Sequence, residues 1–143
     1  MTDDPIDIPE TMARVLVVDD SPTALRLLQA ALEGENYDVV TAKDGLEGLG
    51  KVFQLKPDLV VADSVMPGMD GFAFLRKLRD NPRTRSLPVI ILTAEDPRHS
   101  PHRNTKPQPD AFLMKSADME PLLREVRAAL RKGDETANRN VPS

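Results

Sequence analysis

The sequence predicts an α/β fold, a parallel sheet with helices on both faces. Short apolar runs rich in valine and isoleucine alternate with stretches of helical periodicity. Turn and break signals separate them, at Pro57-Asp58, Pro67-Gly68, Asp70-Gly71 and Asn81-Pro82. The first, third, fourth and fifth apolar runs close on Asp19-Asp20, Asp63, Thr93 and Lys115. In sheets of this kind ligands bind beyond the carboxyl ends of the strands.

The elements follow in order. Arg14–Val18 is a β-branched run ending in acids and reads as a buried strand. Ser21 and Pro22 open a helix, serine as N-cap and proline at the first helical position. Leu25, Leu28 and Leu32 give it an apolar face. Tyr37–Ala42 is a second strand, and Gly45–Gln54 a weaker helix that carries three glycines. Leu59–Ala62 is a third strand closing on Asp63, and Phe72–Arg79 a third helix. Pro88–Leu92 is a fourth strand closing on Thr93. Residues 95–110 stand where a fourth helix belongs, but Pro97, Pro101, Pro107 and Pro109 forbid one longer than a turn or two. That segment reads as a loop with extended stretches. Ala111–Met114 is a fifth strand running into Lys115. Met119–Arg131 is the last helix, with Leu123, Val126 and Leu130 on one face, and Gly133–Ser143 is a polar tail. There is no internal repeat.

At 143 residues the chain has the size of one globular domain and can bury a core without staples. It divides into an acidic segment over 1–12, a folded domain over 13–132 and the tail over 133–143. There is no cysteine, which excludes disulfides, thiol catalysis and cysteine-ligated metals and fits a reducing compartment. Uninterrupted apolar runs reach four residues, against the roughly 20 a membrane span needs. The first thirteen residues hold Asp3, Asp4, Asp7 and Glu10 and no base, the opposite of the start of a signal peptide, so a cytoplasmic location is expected. Net charge is −4, yet beyond those thirteen residues 19 bases face 19 acids, and nothing argues for nucleic acid. Aromatic residues make up 3%, with no tryptophan, so base-stacking platforms are not expected.

The strand-end residues suggest a chemistry. Three carboxylates brought together repel one another, and one stays protonated unless a cation joins them. Oxygen donors without thiols select a hard ion, Mg²⁺ or Mn²⁺. Mg²⁺ is usually held by one or two carboxylates together with water and phosphate oxygens, so such a site is completed by a phosphoryl group. A carboxylate can itself be the nucleophile and become an aspartyl phosphate. Lys115 can pair with a carboxylate at rest and with a phosphoryl oxygen after transfer, and Thr93 can donate a hydrogen bond to another oxygen. Taken singly these residues have simpler uses. Asp19 and Asp20 suit the positive end of a helix, Thr93 and Lys115 suit strand ends, and Phe112 suits a core. Met66 and Met69 read as turn packing. His99 and His102 lack further metal ligands and read as solvated.

The ordered set Asp19-Asp20, Asp63 with Met66-Pro67-Gly68-Met69-Asp70-Gly71, Thr93-Ala94 and Lys115 resembles the receiver domain of two-component response regulators. The resemblance covers roughly residues 13–132, and the stretch Asp58–Phe72 is close to the family's phosphoacceptor signature. It implies a flavodoxin-like five-stranded sheet in the order 2-1-3-4-5, here with the fourth helix replaced by the proline-rich loop. It implies phosphoryl transfer onto Asp63 from a histidine kinase or a histidine phosphotransfer protein. It also implies Mg²⁺ (or Mn²⁺) held by Asp20, Asp63 and the main-chain carbonyl of Val65, with Asp19 acting mostly through water. Thr93 and Phe112 resemble the family's switch pair, and Val65 and Glu95 occupy positions that influence the lifetime of the phosphorylated state. Apart from catalysing its own phosphorylation and dephosphorylation, such a domain is not an enzyme.

Two features depart from the family pattern. The face built around the fourth helix commonly carries output or dimer contacts, and here that face is altered by a loop expected to be mobile. The family typically has proline, often cis, after the lysine, whereas this chain has Ser116. A cis bond before a non-proline residue costs about 3 kcal/mol. The alternatives are a trans bond with the ammonium displaced, or a strained cis bond. About a dozen polar residues follow the last helix, so a stand-alone domain acting through an unidentified partner protein is expected. The alternative is a phosphate-independent binding module that uses the 95–110 loop. A phosphatase of the haloacid-dehalogenase type is a further rival, but that family expects Asp-x-Asp after the first strand and this chain has Asp19-Asp20-Ser21.

Overall fold

The structure, a computed structural model, describes residues 12–140, with side chains as far as Lys132. The acids of the N-terminal segment and the last three residues of the tail lie outside the described residues. The strands are β1 (Arg14–Val18), β2 (Asp38–Ala42), β3 (Leu59–Asp63), β4 (Val89–Thr93) and β5 (Ala111–Met114). The helices are α1 (Pro22–Glu33), α2 (Gly45–Leu55), α3 (Gly71–Asp80) and α4 (Glu120–Asn140). All strand pairs are parallel and the order is β2-β1-β3-β4-β5, the flavodoxin-like arrangement expected.

The central strands are apolar on both faces because both are covered. Leu16, Val18, Val60, Ala62 and Ile91 pack beneath α2 and α3. Val15, Val17, Leu59, Val61 and Ile90 pack beneath α1 and α4, against Leu28, Leu32, Leu123 and Val126. Each fully buried valine, leucine or isoleucine among them contributes about 1.5–3 kcal/mol relative to exposure.

Caps set the helix starts. Ser21 Oγ accepts from the Ala24 N–H at 3.2 Å, as its position before Pro22 predicts. The glycine-containing α2 is helped by Asp44 Oδ1, which accepts from the Glu47 N–H at 2.8 Å, and by Glu47 Oε1, which accepts from the Lys43 N–H at 2.7 Å. Its Gly48 is a close-packing residue. A Cβ there would stand 3.0 Å from Val18 Cγ2 and 3.1 Å from Phe74 Cε1.

Two boundaries differ from the sequence reading. The last helix runs nine residues beyond Arg131, to Asn140, so Gly133 does not end it. A glycine costs a helix only about 1 kcal/mol, and Glu135, Ala137 and Arg139 beyond it are acceptable helix formers. The 95–110 segment does lack a helix. It holds one turn of 3₁₀ helix at Pro97–His99, capped by Asp96, and then turns rather than extended stretches. Its far end is clasped. Asp110 Oδ2 accepts from Val89 N–H at 2.8 Å and pairs with Arg79 Nη2 at 3.0 Å, while Arg79 Nη1 donates to Leu87 O at 2.7 Å. Among the described residues no helix is long and apolar enough to cross a membrane.

Candidate functional site: an acidic cluster at the carboxyl edge of the sheet

Parallel strands deliver their last residues to one edge, and β1, β3, β4 and β5 bring Asp19, Asp63, Thr93 and Lys115 there. Asp19 is 1% exposed, and its Oδ1 accepts from the Ser21 N–H at 2.9 Å. Asp63 is also buried, and Asp20 is exposed beside them. Carboxylate oxygens of Asp19, Asp20 and Asp63 lie within 4.8 Å of one another. Lys115 Nζ bridges the two buried acids, 3.1 Å from Asp19 Oδ2 and 3.2 Å from Asp63 Oδ2.

The electrostatics follow from that crowding. Burial, together with the neighbouring Asp19 charge, raises the Asp63 carboxyl above its ordinary range, and Lys115 only partly opposes this. Burial alone would lower the Lys115 ammonium. The Asp19 hydrogen bond and charge, with those of Asp63, more than offset it and raise the group. A set of three carboxylates with one ammonium remains short of positive charge. Its oxygen donors fit a hard divalent cation.

The loop after Asp63 fixes that residue's surroundings. Gly71 N–H donates to Ser64 O at 3.1 Å, and a Cβ on Gly71 would stand 2.4 Å from Asp63 O, so only glycine lets α3 begin there. Asp70 caps α3 through the Ala73 N–H at 2.8 Å. Val65 N–H approaches Asp63 Oδ1 at 3.4 Å, and the Val65 side chain is 74% exposed. Met66 is buried, and Met69 packs against the α2–α3 core, as turn packing predicts.

The remaining candidates sit less directly. Thr93 O accepts from the Lys115 N–H at 2.7 Å, tying the two strand ends together. The Thr93 hydroxyl accepts from Glu95 N–H at 3.3 Å and makes no hydrogen bond to Asp63 among the described residues. Phe112 lies in the core edge-on to Phe72, with centroids 5.2 Å apart. The one cis peptide among the described residues is Lys106–Pro107, so the Lys115–Ser116 bond is trans. The ammonium nevertheless stands between Asp19 and Asp63, which settles the alternatives left open by Ser116. His99 is exposed, as expected, but His102 is not simply solvated. It is half-buried and stacks on Phe72 with centroids 4.3 Å apart and planes 10° apart. No periodicity in the loop signals that contact. Beside the cluster, an apolar cleft of about 560 Å³ opens between α1 and the β5–α4 connection, walled by Leu27, Leu28, Met114, Lys115, Met119 and Leu122.

A profile described as the response regulator receiver domain matches residues 15–127. The chain belongs to that family. It is therefore a receiver domain of the response regulators of two-component signalling, and domains of this family are in general signalling rather than enzymatic units. The chain is 40% identical over 119 residues to protein PilH of Pseudomonas aeruginosa, covering 83% of this chain and 98% of that one. It is 43% identical over 119 residues to response regulator PleD of Caulobacter vibrioides, covering 83% of this chain but 26% of PleD. The chain thus spans about a quarter of PleD and nearly all of PilH. Among solved structures, response regulator TrrA of Thermotoga maritima, in complex with Mg²⁺-BeF, aligns with a TM-score of 0.72 at 32% identity, covering 82% of this chain and 99% of that one. Chemotaxis protein CheY4 of Vibrio cholerae aligns with a TM-score of 0.74 at 31% identity, covering 83% and 99%. Receiver domains bind Mg²⁺ in an acidic pocket, and the aspartate cluster of this chain is suited to a metal.

Proposed function

We propose that this receiver accepts a phosphoryl group on Asp63 from the phosphohistidine of a histidine kinase or a histidine phosphotransfer protein, and passes the signal to a partner protein. The observation that carries this reading is the Lys115 ammonium held between the buried Asp19 and Asp63. A core needs no such arrangement, and a buried pair of acids is costly unless used. A carboxylate oxygen of Asp63 attacks phosphorus, the bond from phosphorus to the donor's imidazole nitrogen breaks, and the imidazole leaves with its electron pair and takes up a proton. Lys115 binds one Asp63 oxygen and leaves Oδ1, which among the described residues has the long contact to Val65 N–H, as the attacking atom. Asp19, Asp20 and Asp63, with the Val65 carbonyl, are the groups that would hold Mg²⁺ or Mn²⁺. The ion would supply charge neutralisation for the phosphoryl oxygens. Thr93, on the neighbouring strand end, donates its hydroxyl to a phosphoryl oxygen, and Phe112 follows as its switch partner. Hydrolysis returns Asp63 to its resting state: a water oxygen attacks phosphorus, the bond from phosphorus to the Asp63 oxygen breaks, the carboxylate keeps the electron pair, and inorganic phosphate leaves with the water's protons shared between it and solvent. The setting is cytoplasmic, without nucleic acid or membrane.

Intact-mass spectrometry after incubation with Mg²⁺ and a small-molecule phosphodonor tests this, comparing wild type with Asp63→Ala. A single phosphoryl adduct on the wild type alone is expected. No adduct on either protein, followed by none from a phosphorylated kinase, would leave the phosphate-independent binding module in its place.

A further inference from the structure

The 97–110 loop occupies the place of a helix, and between the Asp96 cap and the Asp110 clasp one side chain stacks inward on the core. The His102 ring stacks on Phe72 at 4.3 Å, and Phe72 in turn meets Phe112 edge-on at 5.2 Å. The His102 backbone is engaged as well. Its N–H donates to Ser100 Oγ at 3.0 Å, and its carbonyl accepts from Thr105 N–H at 3.1 Å and from Gln108 Nε2 at 3.0 Å. Ser100 is buried, and its carbonyl accepts from Arg103 N–H at 3.2 Å and from Arg103 Nη1 at 3.1 Å. The loop's internal bonds therefore converge on the residue whose ring stacks on buried Phe72.

Two routes lead from that ring to the acceptor. Phe72 follows Gly71, whose N–H is bonded to Ser64 O, the residue directly after Asp63. Phe112 pairs in register with Ile91, two residues before Thr93, so by strand alternation Phe112 and Thr93 share the sheet face covered by α2 and α3. The Asp63 loop is thus joined to Phe72 through Gly71, and Phe112, on the sheet face it shares with Thr93, meets Phe72 edge-on while His102 stacks on the Phe72 ring.

We propose that His102 is a positioning residue that couples the 97–110 loop to the phosphoacceptor site through Phe72 and Phe112, making this loop the surface whose shape reports phosphorylation. The proposal rests on the phosphoacceptor reading of Asp63. It replaces the missing helix by a loop with a single inward pin. An aromatic pair contributes about as much as a tenfold change in a local equilibrium, enough to bias a loop between two arrangements.

Amide hydrogen exchange of the full chain tests it, with and without Mg²⁺ and beryllofluoride as the phosphoryl mimic, in wild type, His102→Ala and His102→Phe. At rest the Arg103 and Thr105 amides are expected to exchange about tenfold faster in His102→Ala than in wild type, with His102→Phe restoring protection. With the mimic, exchange across 100–105 is expected to change several-fold in wild type and His102→Phe and not at all in His102→Ala. Adduct formation with a small-molecule phosphodonor, read by mass, is expected to be equal in all three. Equal resting exchange in wild type and His102→Ala would overturn the pin. A His102→Ala loop that still responds to the mimic like wild type would overturn the coupling. Failure of wild type to take up either phosphoryl group or mimic would instead bring down the phosphoacceptor reading, while the resting comparison would still decide whether His102 holds the loop. Resting exchange in wild type as fast as in an unstructured peptide would return the segment to the mobile loop that its prolines suggest.

Discussion

The acidic edge and the 95–110 segment are both built after strands of the same sheet, but they are specified in opposite ways. At the edge each residue is fixed by several constraints at once. Asp63 is buried, bridged by Lys115 and covered by an α3 start that admits only glycine. In the segment the backbone runs through turns with hydrogen bonds of their own, and the Asp96 cap, the His102 stack and the Asp110 clasp hold its start, middle and end. The edge keeps its geometry although the neighbouring helix is missing. The strand ends that form it are tied to each other, through Thr93 O to Lys115 N–H and Ser64 N–H to Leu92 O, rather than through that helix. The acidic edge is thus held by bonds of its own, independent of a helix between β4 and β5.

Substitutions on the two sides should have unequal effects. Gly71→Ala is expected to be the most damaging, at least about 3 kcal/mol by urea denaturation, because the new Cβ would meet backbone rather than a movable side chain. Lys115→Ala is next, at about 2 kcal/mol, since it leaves Asp19 and Asp63 buried without their cation. The figure is kept below the buried-pair range because the lysine is 33% exposed. Added Mg²⁺ should recover part of that loss in a thermal melt, and no recovery would argue against a cation site among these acids. On the loop side, Asp110→Ala should cost about 1–2 kcal/mol through the lost Val89 N–H and Arg79 partners, with phosphoryl uptake unchanged. If uptake fell in proportion to stability, the two regions would not be separable.

A pH series sharpens the same contrast. The Asp63 carboxyl is raised in the folded protein, so the folded state holds this proton more tightly than the unfolded state does. That contribution favours folding at low pH and is lost as pH rises through the folded-state value. Metal-free Asp63→Asn should therefore melt a few degrees above wild type at pH 7, with the gap closing as pH falls below the ordinary carboxylate range. Melts from pH 4 to 8 in a chelator would read it, and a wild type more stable than Asp63→Asn at pH 7 would contradict it. The smallest effect is expected for Pro101→Ala in the exposed part of the loop, within about 0.5 kcal/mol.

Much of this was legible in the residues. Strand runs ending in Asp19, Asp63, Thr93 and Lys115 have to meet at one edge once the strands are parallel, so the site's membership followed from the alternation itself. The absence of an α-helix between β4 and β5 followed from proline's missing donor. What was not legible depends on distance rather than pattern. His102 has no periodic relation to Phe72, 30 positions away, and nothing local distinguishes it from the exposed His99. The trans bond before Ser116 was open because both isomers were compatible with the local sequence. The last helix overran its expected end because one glycine is a weak stop when good helix formers follow it.

The Asp110 clasp has a consequence for how such a chain changes over generations. Arg79, Leu87, Val89 and Asp110 fix the start of β5 against β4 without help from the thirteen residues between Asp96 and Asp110. Lengthening or shortening a loop with anchored ends costs little, about 0.6 kcal/mol for each doubling. Insertions and deletions at that point leave the register of the sheet untouched. A domain of this kind can therefore change in length between Asp96 and Asp110 while the clasp at Val89 and Asp110 holds the β4–β5 register.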